Sequence, residues 1–178
     1  MTDFHLLRAT TSHIDDIMNI EEACFIKEIR EKREVFLERI KCENDAFYVF
    51  LDGQKVMGYI SAERLEKIPE TENEIALNHR PAGGGNNLYI SSFGILPSYR
   101  GNGDGKKLWE MAMNEFSQID GIKKIILLVN EDWKGALHIY EKSGFTVHKI
   151  FPAFFPQPSN SSTDKYRSDG ILMVKENI

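Results

Sequence analysis

Apolar and polar positions recur along this chain with two periods, and each period marks an element. Phe4 to Arg8 reads as a short strand. Ile14, Ile17, Met18, Ile20 and Cys24 follow at helical spacing, behind Thr11 and Ser12, which are suited to cap a helix. A second helix is predicted near Lys32 to Lys41. Ala46 to Leu51 and Val56 to Ala62 are apolar runs joined by Asp52-Gly53, a strong hairpin signal. Residues 67–86, rich in Glu, Asn and Gly, read as a long polar loop, of a kind that is usually functional or mobile. Leu88 to Leu96 is the next strand, and Leu108, Met111, Ala112 and Phe116 set the next helix. Ile125 to Val129 is a β-branched strand, followed by a helix through Ala136 and Tyr140 that Gly144 ends. A strand near Thr146 to Phe151, a proline-rich stretch from Pro152 to Pro158 and a polar stretch from Ser159 to Ser168 lead to a last strand, Ile171 to Val174. No repeat and no second domain interrupts this order, so residues 1–178 are expected to form one α/β (α+β) domain.

The stretch with the most chemistry is Tyr99-Arg100-Gly101-Asn102-Gly103-Asp104-Gly105-Lys106-Lys107, which joins a strand to a helix. Glycines let the backbone turn tightly and approach a ligand closely. The first N–H groups of a helix lack intrahelical partners, and the dipole there favours negative charge. A strand, a glycine turn and a helix start together form a phosphate or pyrophosphate cradle. No window satisfies the Walker A spacing, and Gly101, Gly103 and Gly105 are spaced G-x-G-x-G rather than as a dinucleotide fingerprint.

What fits is Arg100-x-x-Gly103-x-Gly105, which resembles the acyl-CoA pyrophosphate loop of the GNAT acetyltransferase superfamily. Downstream, Ala136-Leu137-His138-Ile139-Tyr140-Glu141-Lys142-Ser143-Gly144-Phe145 resembles the second signature of that family, at the expected distance. The resemblance covers essentially the whole chain. It implies a mixed, mostly antiparallel sheet of about seven strands, splayed between the fourth and fifth and flanked by about four helices. It also implies direct transfer of the acetyl group of acetyl-CoA to a primary amine, without a metal. Phe93, Gly94 and Ile95 would hold pantetheine and thioester like an added strand. Arg100, Gly101, Asn102, Gly103, Asp104, Gly105 and Lys106 would hold pyrophosphate. Tyr140 would protonate the departing thiolate. His138, two residues away, would face elsewhere on the helix.

Arg8-Ala9-Thr10, Glu21-Glu22-Ala23-Cys24-Phe25, Asp52-Gly53 and His79-Arg80-Pro81 are similar to the aralkylamine N-acetyltransferase branch of the family. There are departures. Tyr89 and Ser91 stand where that branch carries a histidine pair, so Tyr89, Ser91 and His79 are the candidates for a proton relay. Trp133 stands where many GNAT proteins have asparagine, an absence shared with the aralkylamine enzymes, and Asp104 where the family usually has an apolar residue. A carboxylate beside pyrophosphate repels it unless it turns away or caps the helix. Phe25, Ile26 and Ile29 would give an apolar acceptor site. A small amine of arylalkylamine or polyamine type is the expected partner. The alternatives are a protein N-terminal or lysine acetyltransferase, or a non-catalytic CoA-binding module.

Composition narrows the field. Hydrophobic residues make up 42% and charged residues 28%, as in a globular protein with a real core. Net charge is −5, which argues against nucleic acid as a partner and suits cationic amines. No run approaches membrane-spanning length and the start lacks a secretory pattern, so neither a membrane partner nor export is expected. Cys24 and Cys42 are too few for a disulfide framework or zinc site, so a reducing cytoplasm is the simplest home. Cys24 reads as a buried small hydrophobe. A homodimer is compatible with this reading.

Overall fold

The computed structural model describes residues 3–42, 46–75, 84–158 and 167–177. The strands are β1 (Phe4–Arg8), β2 (Ala46–Asp52), β3 (Lys55–Leu65), β4 (Asn87–Ile95), β5 (Lys124–Asn130), β6 (Thr146–Phe155) and β7 (Ser168–Glu176). They form one seven-stranded sheet in the order β1-β2-β3-β4-β5-β7-β6. Every neighbouring pair is antiparallel except β4 and β5, which run parallel. The helices are α1 (Ile14–Cys24), α2 (Arg33–Lys41), α3 (Glu72–Ile75), α4 (Asp104–Ser117) and α5 (Lys134–Lys142).

The pleat of β2 explains the two layers of core. Successive side chains point to opposite faces of a strand. Phe47, Val49 and Leu51 pack with Ile14, Ile17 and Ile20 of α1 and Phe36 of α2. Ala46 and Phe50 pack on the other face, with Leu108, Trp109, Ala112 and Phe116 of α4. The sheet is thus covered on both sides, which is why its central strands read as nearly continuous apolar runs.

Two irregularities in β4 make room for a site. β4 and β5 pair only over Asn87 to Ile90 against Lys124 to Leu127, and then part. On its other side, the register with β3 shifts so that Ser61 faces Ser92 while Ala62 faces Ile90. Ser91 is therefore the extra residue of a bulge, and bulges re-aim side chains.

Some elements differ from the sequence expectation. The polar loop holds a short helix, α3, and residues 76–83 lie outside the described part. β6 continues through Pro152 to Phe155 and β7 starts at Ser168. Proline is tolerated there because β6 is an edge strand, with an irregular register between Phe151 and Phe155 and a positive φ of 53° at Ala153. The first hairpin turn is Gly53-Gln54, with Gly53 at φ +60° and Asp52 paired to Lys55 inside the ladder. A 3₁₀ turn at Thr11–His13 precedes α1, so the cap sits one residue earlier, where the Thr10 N–H donates to His13 Nδ1 at 3.0 Å. Among the described residues no helix is long and apolar enough to cross a membrane.

A buried ion network ties α2 to the sheet. Arg39 is buried and its Nε donates to Glu63 at 2.6 Å, while a terminal nitrogen donates to Glu31 at 3.2 Å. Breaking a buried pair from one side leaves a costly charge. Arg39→Leu is expected to lower unfolding free energy by about 3–5 kcal/mol in denaturant titration.

Candidate active site

Where β4 and β5 separate, a cavity of about 970 Å³ opens between them. Its floor is Tyr89, Ser91, Phe93 and Ile95 of β4 with Leu127 and Val129 of β5. Beyond Ile90 the β5-facing edge of β4 has lost its strand partner, so backbone groups there can pair with an extended ligand.

At one end the cavity meets Arg100, Gly101, Gly103, Gly105 and Lys106. Gly101 and Gly103 have φ of +92° and +81°, conformations that glycine supplies without a steric penalty. A Cβ built on either would meet only open space, so this turn is kept clear of protein on its outer side. Lys107 N–H donates back to the Gly103 carbonyl and closes the first turn of α4. Among the described residues, the N–H groups of residues 101–106 find no backbone acceptor. Such a run of donors at the start of a fourteen-residue helix suits a phosphate group.

Asp104 does not disturb this cradle. Its carboxylate is buried and paired with Lys107 Nζ at 3.2 Å, and it does not line the cavity. Asn102, Gly94 and Ile26 are not lining residues either. Gly94 instead lets strands and helix approach: an added Cβ would lie 3.0 Å from the Tyr59 ring and 3.1 Å from Ile20. Arg100 is partly committed to protein, donating from Nε to the Ile95 carbonyl at 2.9 Å and contacting Cys24 Sγ at 3.0 Å. Cys24 is half-buried rather than buried, lines the cavity, and its thiol is pushed up chiefly by desolvation. His79 lies outside the described residues.

Tyr140 projects from α5 into the cavity wall. Phe145 N–H closes on its carbonyl and Gly144, at φ +88°, turns the chain out of the helix. Trp109 packs against the Tyr140 ring, 4.6 Å between centroids, and is itself fixed by its Nε1–H to Ser143 Oγ at 2.8 Å. Tyr140 is 9% exposed, and its hydroxyl has no hydrogen-bond partner among the described residues. Burial pushes its ionisation well above the ordinary tyrosine range, so it stays an O–H donor. His138 lines a separate depression of about 580 Å³ with Lys106, Lys142 and Lys175.

The far end of the cavity is aromatic and apolar. Phe25 and Ile29 come from the segment after α1, Trp133 precedes α5, and Phe154 and Phe155 come from β6. Trp133 sits between Phe25 and Phe155, with centroids 6.0 and 5.5 Å away. Ile75 of α3 adds to this wall from the polar loop.

The sequence pattern of the Acetyltransferase (GNAT) family matches residues 14–145, which span α1, the glycine turn and α5. The chain belongs to this family of acetyltransferases. No curated protein sequence matches it. Its fold is similar to that of the loading GNATL domain of CurA from Lyngbya majuscula, at 16% identity and TM-score 0.77 over 98% of each chain. A ribosomal-protein alanine N-acetyltransferase from Escherichia coli matches at 16% identity and TM-score 0.74, over 98% of this chain and 94% of the other. Arabidopsis thaliana NAA60, solved in complex with acetyl-CoA, matches at 18% identity and TM-score 0.74 over 98% of both chains. At these identities the likeness is one of fold.

Within this acetyltransferase one residue has a place that the sequence reading did not assign: Glu21 entered there only through the Glu21-Glu22-Ala23-Cys24-Phe25 resemblance. Glu21 is 2% exposed yet lines the cavity. The fully buried Tyr59 hydroxyl donates to Glu21 and sits 2.6 Å from Ser92 Oγ, and the Glu31 N–H donates to Glu21 Oε1 at 2.7 Å. Burial raises the Glu21 carboxyl above the ordinary range, against the lowering effect of the Tyr59 hydrogen bond. The available signal was its place in the stripe Ile14, Ile17, Glu21, Cys24, where a carboxylate interrupts an apolar helix face.

Proposed function

We propose that this chain transfers the acetyl group of acetyl-CoA directly to a small primary amine, of arylalkylamine rather than polyamine type. The observation that carries the reading is the run of uncommitted backbone donors at residues 101–106, opening on a channel whose wall holds the partnerless Tyr140 hydroxyl. The residues present fit acetyl-CoA: the cradle suits pyrophosphate, and the unpaired edge of β4 suits the amides of pantetheine. When bound, acetyl-CoA supplies an activated acyl carbon and a thiolate leaving group.

The chain's own residues do the rest. Backbone groups of Phe93 to Ile95 hold the thioester, and one of their N–H groups faces the charge that develops on its carbonyl oxygen. The amine lone pair forms the new C–N bond as the C–S bond breaks, Tyr140 gives its proton to the leaving sulfur, and the proton shed by the newly acylated nitrogen restores the Tyr140 hydroxyl. Desolvation keeps the hydroxyl proton on Tyr140 until the thiolate appears. The Phe25, Ile29 and Trp133 wall takes the apolar body of the acceptor, and Ile75 narrows the opening from α3.

Two measurements test this. Release of CoA thiol is followed across arylalkylamines, polyamines and peptides with free N-termini or lysines. Arylalkylamines are expected to show the highest kcat/KM, and a preference for peptides would replace the acceptor assignment. In Trp133→Ala, KM for an aromatic amine is expected to rise about three- to tenfold with kcat nearly unchanged, from loss of ring contacts of about 0.5–1.5 kcal/mol. An unchanged KM would remove Trp133 from the acceptor site.

A further inference from the structure

Loss of a proton from an ammonium substrate must come before its attack, since an alkylamine has a pKa of about 10.4. Of the carriers suggested by the sequence, His79 lies outside the described residues and Tyr89 lines the cavity. Ser91 lines the cavity, but its hydroxyl donates to the Ser61 carbonyl at 3.1 Å, so its hydrogen is committed to backbone. Asp132 also lines the cavity, but its carboxylate accepts from Ser168 Oγ at 2.6 Å, beside the acceptor wall.

We infer that Ser92, Tyr59 and Glu21 form the outlet for the amine proton, with Glu21 as its acceptor. Geometry fixes the direction. The Tyr59 hydrogen points to Glu21, so the 2.6 Å contact between Tyr59 and Ser92 must use the Ser92 hydrogen. Both hydroxyls therefore donate toward the carboxylate, and the Ser92 oxygen keeps a lone pair for an N–H in the cavity it lines. Transfer is balanced. The ammonium N–H bond breaks and its proton bonds to Ser92 Oγ. The Ser92 proton passes to Tyr59, and the Tyr59 proton to Glu21. The net change is ammonium and carboxylate to amine and carboxylic acid, with no redox step. The acid is discharged to water after the acetylated product leaves.

The surroundings of Glu21 suit a proton that comes and goes. Glu31 from the segment before α2 and Cys24 one turn further along α1 face it, as do Tyr59 of β3 and, at longer range, Arg39 of α2. Desolvation and Glu31 favour the protonated form, whereas Tyr59, the Glu31 N–H and Arg39 favour the carboxylate. A base with a raised pKa is better matched to work near neutral pH.

This inference rests on the acetyltransferase reading above. The experiment is the pH profile of kcat/KM for phenethylamine from pH 5 to 10, in wild type, Glu21→Gln, Tyr59→Phe and Ser92→Ala. Wild type should rise through the Glu21 ionisation and then level, because the enzyme itself strips the ammonium. The variants depend on free amine from solution, so they should lose about 10²–10³-fold at pH 7 and climb toward wild type as pH nears the amine pKa. Ser92→Ala cuts the path at the cavity end and leaves the buried pair intact, which covers a folding defect in Glu21→Gln. Variant profiles parallel to wild type at any constant fraction would overturn the inference, since a structural defect scales the rate without reshaping it.

A second readout needs no activity. A raised folded pKa makes the stability contribution of Glu21 complete below the unfolded value of about 4.3, and lost as pH rises through the folded value. The thermal midpoint of wild type relative to Glu21→Gln should therefore fall across that interval and then stay level. A difference that does not vary with pH would also overturn the inference. No thiol release by wild type with any amine would remove the acetyltransferase reading and this inference with it.

Discussion

Tyr140→Phe is expected to lose about 10²–10⁴ in kcat while binding acetyl-CoA nearly as tightly as wild type. The substitution removes one oxygen and keeps the ring that Trp109 and Phe145 pack against, at 4.6 and 6.2 Å. That hydroxyl has no hydrogen-bond partner among the described residues, so no protein group is left stranded by its loss. The effect is confined to the moment when sulfur departs, because only then is a proton needed. An interaction made only in the transition state lowers kcat and kcat/KM together. Steady-state kinetics with calorimetric titration of acetyl-CoA separate the cases. Wild-type kcat where chemistry limits the rate would make Tyr140 a packing residue, and a loss confined to affinity would move it into the CoA site.

Gly103→Glu is expected to abolish stabilisation by acetyl-CoA. Wild type at a ligand concentration of ~100 Kd should gain about 2.7 kcal/mol, or roughly 5–10 °C in thermal midpoint for a chain of this size. Gly103 holds φ +81° at the start of α4, lines the cavity, and would place an added Cβ in open space. Glutamate there puts a carboxylate where the cradle takes a phosphate, and is strained by about 1–3 kcal/mol at that φ. The unliganded midpoint should thus fall by a few degrees, and the ligand-induced shift should vanish. A variant that keeps the full shift would move the pyrophosphate away from this turn.

Much of the fold was legible because local patterns dictated it. Ile125 to Val129 is a strand wherever it is placed, and Gly144 ends α5 at φ +88° as its position after an apolar helix implies. The splay after Ile90 came from family resemblance and not from periodicity, since pairing between distant strands leaves no local signature. β6 was read short because Pro152 signals a break, and only its edge position lets the strand continue. α3 escaped notice because Glu72 to Ile75 is one turn of mostly polar residues. Within the site, the glycine turn stood out by its place between a strand and a helix, and Tyr140 by its resemblance to the family's second signature. The Glu21 pair did not, because its partner Tyr59 lies 38 residues away on the sheet. Ser91 and Ser92 are adjacent in sequence, and only the bulge sends one to backbone and the other to Tyr59.

The central claim is acetyl transfer from acetyl-CoA to an amine in the channel between β4 and β5. Its most direct measurement is time-resolved release of CoA thiol from acetyl-CoA with phenethylamine, with the acetylated product identified by mass. The account predicts thiol and acetamide in equal amounts from wild type, and neither above background from Gly103→Glu. Tight acetyl-CoA binding with no thiol release across every amine and peptide tried would contradict it, and would make the chain a CoA-binding module.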